Sequence, residues 1–354
     1  MLETLRLMDF RCFPQAALTL PADGGVFLGD NAQGKTSLLE AACLLMRLQS
    51  PRTMKVGELV REGAMHFGLA GETEDAVFRL ESKGTTLQST IDGEVVGRRA
   101  DYIARSELIV WMGTSDLQLV RGGGGDRRRY LDFLAAQIDP DYRRHWSRYR
   151  KVLQIRNRAL KEQAAVAEIR AYRDLLINHG LELQERRQQV CLDLAPQVAH
   201  CHRDISGKDE EVALTYAPQE KEDLAAAFDR VEENERRRGM TLVGPHRDEV
   251  TLMLNGRAAR AYGSEGQQRT LALALKLAQG EVLRRLGGKA PIYLIDDVFG
   301  ELDRSRRHAV LAQLPKESQK LITTTSLEWL DDHHEDQWQP TTLWRVADQQ
   351  VAPK

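Results

Sequence analysis

The chain has 354 residues, 42% of them hydrophobic and 29% charged, with 50 Lys and Arg against 52 Asp and Glu for a net charge of −2. That balance excludes a disordered polyelectrolyte and leaves enough apolar mass for two domains, or for one domain with a large insertion. It neither demands nor excludes nucleic acid, so local charge matters more than the total. The four cysteines, Cys12, Cys43, Cys191 and Cys201, include no C-x-x-C pair, the pattern of a reducing cytosol. The opening MLETLRLMDFRCF lacks a basic stretch followed by an apolar one, and no run has the length of a membrane span. A soluble, cytoplasmic protein with no membrane partner is expected.

Residues 2–29 alternate as short strands and end in GGVFLGDN, an apolar strand running into a glycine loop. A helix is predicted from Lys35 to Leu48. His66 to Val96 read as strands, with a hairpin signal at Asp92–Gly93. RGGGGDRRRYLD then sets four glycines before a basic segment, the mark of a hinge or boundary. From Asp126 to about Arg238 the pattern is almost wholly helical, with a helix entry at Asp139 and one short strand, VALTY. Strand character returns in GMTLVGPHRDEVTLMLNGR, with a second hairpin signal at Asn255–Gly256. A long helix, the buried strand PIYLID and the strand KLITTTS follow. The simplest organisation is an α/β fold whose head, split between 1–120 and 240–354, carries an inserted helical arm at 121–239.

GDNAQGKTS fits G-x-x-x-x-G-K-[ST] in full, after a strand and before a helix. Gly29, Asp30, Asn31, Ala32, Gln33, Gly34, Lys35, Thr36 and Ser37 are therefore the candidate binders of a nucleotide's phosphates. The glycines let successive N–H groups wrap a phosphate, Lys35 reaches the β- and γ-phosphates, and Thr36 offers a hydroxyl to Mg²⁺. Such a loop needs a further carboxylate at the tip of a neighbouring strand, and PIYLIDDVFGELD supplies Asp296 and Asp297. Asp296 is the expected metal partner of Thr36. Asp297 is placed to orient or deprotonate the attacking water, with Lys35 as the other catalytic candidate.

The helix opening at AYGSEGQQRT has its own phosphate chemistry. Ser264 is a good N-cap, and Gln267 three residues later completes a capping box. Gly266 in the first turn costs roughly 1 kcal/mol relative to alanine. It also leaves bare backbone N–H groups where helices hold anions.

Together these motifs resemble the ABC-type ATPases of DNA repair and chromosome maintenance, and in detail the RecF family. The resemblance runs through DFRCF, GDNAQGKT, SDLQLVRG…RRRYLD, GPHRDEV, YGSEGQQRTLALALKLA, DDVFGELD and ITTT, nearly the whole chain. GPHRDE and GQQRTLALALKLA are specific to that family, and the arm is short beside the coiled coils of SMC proteins. The resemblance implies an ABC-type P-loop head with an antiparallel β subdomain. It makes Ser264, Gly266 and Gln267 a signature motif that meets the γ-phosphate on an opposing subunit, so ATP joins two copies into a homodimer. Asp303 would cross the same interface, and Arg11 would reach the phosphates. Arg52 and Thr53 fall in a nucleotide-adjacent segment. The implied role is recombinational repair on gapped or junction duplex DNA, with mediators of the RecR and RecO type as partners. Several positions depart from the family pattern. Gly300 stands before ELD where serine is usual, Glu265 replaces a common glutamine, and WMGTSDL lacks the proline and first acid of the usual PEDL. LITTTS offers Thr323 or Thr324 in place of a switch histidine.

Between Arg121 and Lys161 twelve Lys and Arg face four Asp and Glu, about +8 in a slightly acidic chain. That excess suits a phosphate-backbone footprint. A solvated helix paired with Glu162, Glu168 and Glu182, or arginines tying the arm to the core, is the alternative. His246 and Arg247 of GPHRDEV are expected to be structural or allosteric, because the metal and carboxylate already supply the phosphoryl chemistry. Two other functions compete: a transporter-type ABC subunit, and a nucleotide-gated scaffold with negligible hydrolysis.

Overall fold

The strand ahead of the glycine loop, Gly24–Leu28, lies inside a six-stranded sheet in the computed structural model, which describes residues 1–220, 223–331 and 338–354. The strand order is Gln350–Pro353, Leu343–Ala347, Gly24–Leu28, Lys320–Thr324, Ile292–Asp296, Ile109–Gly113. Every neighbouring pair is parallel except the first, an antiparallel hairpin. Its central strands are apolar without alternation because both faces are covered, the usual state of parallel sheets. Register sets Asp296 beside Gly113 on one side and Thr323 on the other, while Thr324 pairs with Leu28. The strand ends that carry function therefore share one edge, where open α/β sheets bind ligands.

A second six-stranded sheet is antiparallel throughout, in the order Phe13–Thr19, Leu2–Phe10, Gly68–Thr73, Val77–Lys83, Thr86–Ile91, Glu94–Val95. Its Val77–Lys83 strand alternates between buried and exposed residues. The predicted Asp92–Gly93 turn is present, with φ of 54° and 86°. Helix Lys35–Arg47 packs on strands of both sheets and buries nearly every residue. That explains its apolar text on all sides. These elements form one compact unit, Met1–Asp116, Asp204–Gly207 and Leu273–Lys354.

The other unit comprises Leu117–Arg203 and Lys208–Ala272. It is built from helices Gly124–Ile138, Pro140–Lys161 and Leu224–Arg238, with most of the long helix Val166–Ser206. Asp139 caps the second of these by accepting from the Asp141 and Tyr142 N–H groups, with Pro140 in the first turn. The DPDY text announced this start. A three-stranded antiparallel sheet, Arg257–Ala258, Glu249–Leu254 and Val212–Ala217, completes the unit. Residues 249–258 stand with the head in the sequence-based division. Here Glu249–Leu254 pairs with the VALTY strand, a long-range register that periodicity does not carry, and Arg257–Ala258 pairs back on its end. Among the described residues no helix is long and apolar enough to cross a membrane.

Candidate nucleotide-binding site

The phosphate loop is shaped by its glycines. Gly34 holds φ of 100°, and a Cβ there would fall 2.6 Å from Cys12 Sγ and 2.8 Å from the Phe13 ring. A Cβ on Gly29 would fall 2.2 Å from the Val346 carbonyl oxygen. Only glycine suits either position. Helix Lys35–Arg47 starts without a side-chain cap, which leaves its first N–H groups to an incoming anion. Lys35 Nζ donates to the carbonyls of Gly29 at 2.6 Å and Asp30 at 2.8 Å, curling the loop around the ammonium. Burial pulls the Lys35 ammonium below its ordinary value, against the opposing pull of Asp297, Asp296 and Asp30. A phosphate arriving here would meet a cation that burial has partly stripped of water.

The two acids come to the same place from 260 residues away. Thr36 donates its hydroxyl to Asp296 Oδ1 at 2.8 Å. Thr323 also donates to that oxygen, at 2.9 Å, and accepts the Asp297 N–H at 3.0 Å. Thr323 is thus the threonine between the acids, whereas Thr324 turns its hydroxyl to the Ser326 carbonyl. Asp297 has a left-handed backbone, φ 53°; such strain is uncommon for a non-glycine residue and concentrates at functional sites. Burial pushes the Asp296 carboxyl up, opposed by the two threonine hydroxyls. A desolvated carboxylate touching a hydroxyl is an all-oxygen donor pair suited to a hard divalent cation. Thr36 and Asp296 therefore fit Mg²⁺.

Arg11 reaches the cleft in a way the sequence did not reveal. Its guanidinium grips Glu40 with Nε at 2.9 Å and Nη2 at 2.7 Å, while Nη1 donates to the Glu58 carbonyl at 2.6 Å. Glu40, on the phosphate-loop helix, is fully buried and also receives Ser50 Oγ at 2.6 Å and Arg52 Nη1 at 3.2 Å. One buried carboxylate holds two of the cleft arginines, Arg11 and Arg52. Its only trace in the sequence is a single acid inside the apolar run LLEAACLL. Thr53 bonds Glu58, beside this group.

A cleft of about 960 Å³ joins these groups, lined among others by Arg11, Asn31, Ala32, Gly34, Lys35, Thr36, Ser37, Arg52, Asp296 and Asp297. Gly29 and Asp30 meet Lys35 through their carbonyls, and Gln33 bonds outward to the Asp348 N–H. Cys12, next to Arg11 in DFRCF, also lines the cleft, as do Arg61, Glu62 and Gln349, which no motif marks. Ser264, Gly266 and Gln267 do not line it; they belong to the other unit. Their capping box is complete, with Ser264 N–H donating to Gln267 Oε1 at 2.8 Å and Gln267 N–H to Ser264 Oγ at 3.3 Å. The Gln267 amide also donates to Glu210 at 2.7 Å. Asp303, also outside the cleft, caps helix Arg304–Gln313 and pairs with Arg306.

His246 is engaged within its own unit. Its Nδ1 lies 2.7 Å from the Tyr149 hydroxyl, and burial pulls its pKa down to about 4. The glycine of GPHRDE has φ of 120° and leaves no room for a Cβ against Tyr149. The basic segment divides in two. Arg127 is tied to Glu249, Arg128 to the Asp248 carbonyl, and Arg156 to buried Glu235. Arg144, Arg148, Arg150, Lys151, Arg158 and Lys161 remain exposed.

A phosphate loop, a paired-acid strand tip and a flanking antiparallel sheet define an ABC-type ATPase head. No family model matches the chain. Its relatives are consistent, however. It is 38% identical over 353 residues to the DNA replication and repair protein RecF of Synechococcus sp. (strain JA-2-3B'a(2-13)), covering 93% of this chain and 92% of that protein. It is 36% identical over 356 residues to RecF of Symbiobacterium thermophilum, covering 94% and 95%. A solved structure described as the recombination mediator protein RecF-ATP in the RecFOR pathway superposes with TM-score 0.89 at 26% identity, covering 100% of this chain and 97% of that one. An Smc head bound to the C-terminal winged-helix domain of ScpA superposes at TM-score 0.57 and 13% identity, a likeness of fold alone. The chain belongs to the RecF family of DNA replication and repair proteins. That membership replaces the transporter-subunit alternative.

Proposed function

We propose that this chain binds and hydrolyses ATP with Mg²⁺, and that ATP joins two copies on duplex DNA until hydrolysis releases them. The convergence of Thr36, Asp296, Thr323 and Asp297 beside the phosphate loop carries this reading. Lys35 and the uncapped helix start hold the phosphates. Thr36 and Asp296 hold Mg²⁺, which when bound neutralises phosphate charge. Asp297, fixed through its backbone to Thr323, orients the attacking water and accepts its proton. Ser264, Gly266 and Gln267 present a capped helix start to the γ-phosphate on the facing copy, with Asp303 at the same junction. A site that needs two copies suits slow turnover stimulated by DNA.

The DNA surface is the exposed side of helix Pro140–Lys161. Arg144, Arg148 and Lys151 follow an i, i+4, i+7 spacing and so share one face. Backbone contacts of this kind bind without reading sequence. Gapped or junction duplex is the proposed substrate, and mediators of the RecO and RecR type are the proposed partners. Turnover of ATP with and without gapped duplex DNA tests this function. Wild-type protein is expected to hydrolyse slowly and faster with DNA, and Lys35→Ala and Asp297→Asn to lose at least about 100-fold, the scale of an acid–base or electrostatic contribution. Turnover absent from wild-type protein under both conditions would favour a nucleotide-gated scaffold.

A further inference from the structure

The last two strands, Leu343–Ala347 and Gln350–Pro353, are joined by a two-residue turn at Asp348 and Gln349, with φ of 49° and 61°. Such hairpins need left-handed backbone at both positions, which glycine, asparagine and aspartate adopt most readily. Asp348 follows that preference and Gln349 does not. A strained side chain kept beside a binding cleft is a reason to look for function. One hydrogen bond ties the turn to the phosphate loop, and the turn also borders the cleft. Asp348 N–H donates to Gln33 Oε1 at 2.9 Å, and Gln349 itself lines the cleft. The strand after the turn packs on Phe13–Thr19, and the turn preceding that strand gives Arg11 and Cys12 to the cleft wall. Gln349 is exposed within this group.

Lys35, Thr36, Asp296 and the loop N–H groups already serve the phosphates. A triphosphate offers acceptors only, so a carboxamide turned to it would use its NH₂ and waste its carbonyl. Adenine presents a donor and an acceptor side by side, at its amino group and N7, which a glutamine pairs with both atoms at once. Guanine has two acceptors on that edge. We propose that Gln349 reads the base of the bound nucleotide and selects adenine over guanine, while Gln33 holds the turn in step with the phosphate loop. The proposal rests on the cleft being a nucleotide site.

Equilibrium dialysis of the full chain with labelled ATP, dATP and GTP tests it, using wild-type protein, Gln349→Gly and Gln349→Asn. Glycine removes the carboxamide and relieves the left-handed strain, so loss of folding does not confuse the result. Wild-type protein is expected to prefer ATP over GTP by about tenfold or more, the scale of one bidentate base contact. Gln349→Gly is expected to bind the two within about twofold, with its GTP affinity unchanged, and Gln349→Asn to recover part of the preference. ATP and dATP should bind alike throughout. An undiminished preference in Gln349→Gly, no preference in wild-type protein, or a parallel loss of both nucleotides would overturn the proposal. Discrimination against dATP that vanishes in Gln349→Gly would move the contact to the ribose and overturn it too. If wild-type protein binds none of the three, the nucleotide site itself falls, and the base contact with it.

Discussion

Thr36 and Asp296, at opposite ends of the chain, meet through one 2.8 Å hydrogen bond, and burial lifts the Asp296 carboxyl while it is held there. A carboxyl raised on folding costs stability at neutral pH, and that cost fades as pH falls through its folded value. Asp296→Asn should therefore melt above wild-type protein without nucleotide. The same variant should lose the increase in ATP affinity that Mg²⁺ gives wild-type protein. Thermal melts, with ATP binding in Mg²⁺ and in EDTA, check both halves. A variant less stable than wild-type protein yet still responsive to Mg²⁺ would separate Asp296 from the metal.

Glu40 is the post on which Arg11 and Arg52 hang. Glu40→Ala leaves a largely buried guanidinium without its partner, which costs roughly 3 kcal/mol. Glu40→Gln, which keeps the shape and accepts one bond, should lose less. Urea denaturation of the two variants reads the difference.

His246 gives a pH dependence whose sign is fixed. Its folded pKa of about 4 lies below the ordinary histidine value, so the unfolded chain takes up a proton that the folded chain refuses. Nothing is lost above pH 6.5 or so. Between there and about pH 4, stability should fall by close to 1.4 kcal/mol per unit, from this group alone. His246→Gln, which keeps a polar partner for the Tyr149 hydroxyl and does not titrate, should flatten that part of the curve. Denaturation at pH 7.5, 6 and 5 measures it.

Arg148 and Lys151 share the exposed face of their helix, whereas Arg127 and Arg156 are spent on internal pairs. Replacing both Arg148 and Lys151 with alanine should weaken duplex binding and lower the slope of log affinity against log salt by about 1.8, roughly 0.9 for each lost phosphate contact. Fluorescence anisotropy across a salt series reads the slope directly. An unchanged slope would place the DNA elsewhere.

What the sequence reveals here is what is local. The phosphate loop, the Asp139 cap, the Ser264–Gln267 box and both predicted hairpins depend on residues a few positions apart, and each is present. The acid pair was legible because its strand tip has a recognisable text, although its meeting with Thr36 spans 260 residues. Glu40, Gln349 and the tie from Gln33 to Asp348 were not legible, because each acts through register and packing between distant strands. The basic segment was half legible. Its charge count gave the excess, but only burial separates arginines that brace the unit from those that face water.

The measurement that tests the central claim most directly is light scattering of Asp297→Asn protein with and without Mg-ATP, beside the double variant Asp297→Asn, Ser264→Arg. Slowed hydrolysis should let ATP double the mass of the first. The bulky cation at Ser264 should block the facing phosphate, so the second should bind ATP and stay monomeric. Asp297→Asn protein that remains monomeric while saturated with ATP, or a double variant that doubles equally well, would contradict the claim that ATP joins two copies through this helix.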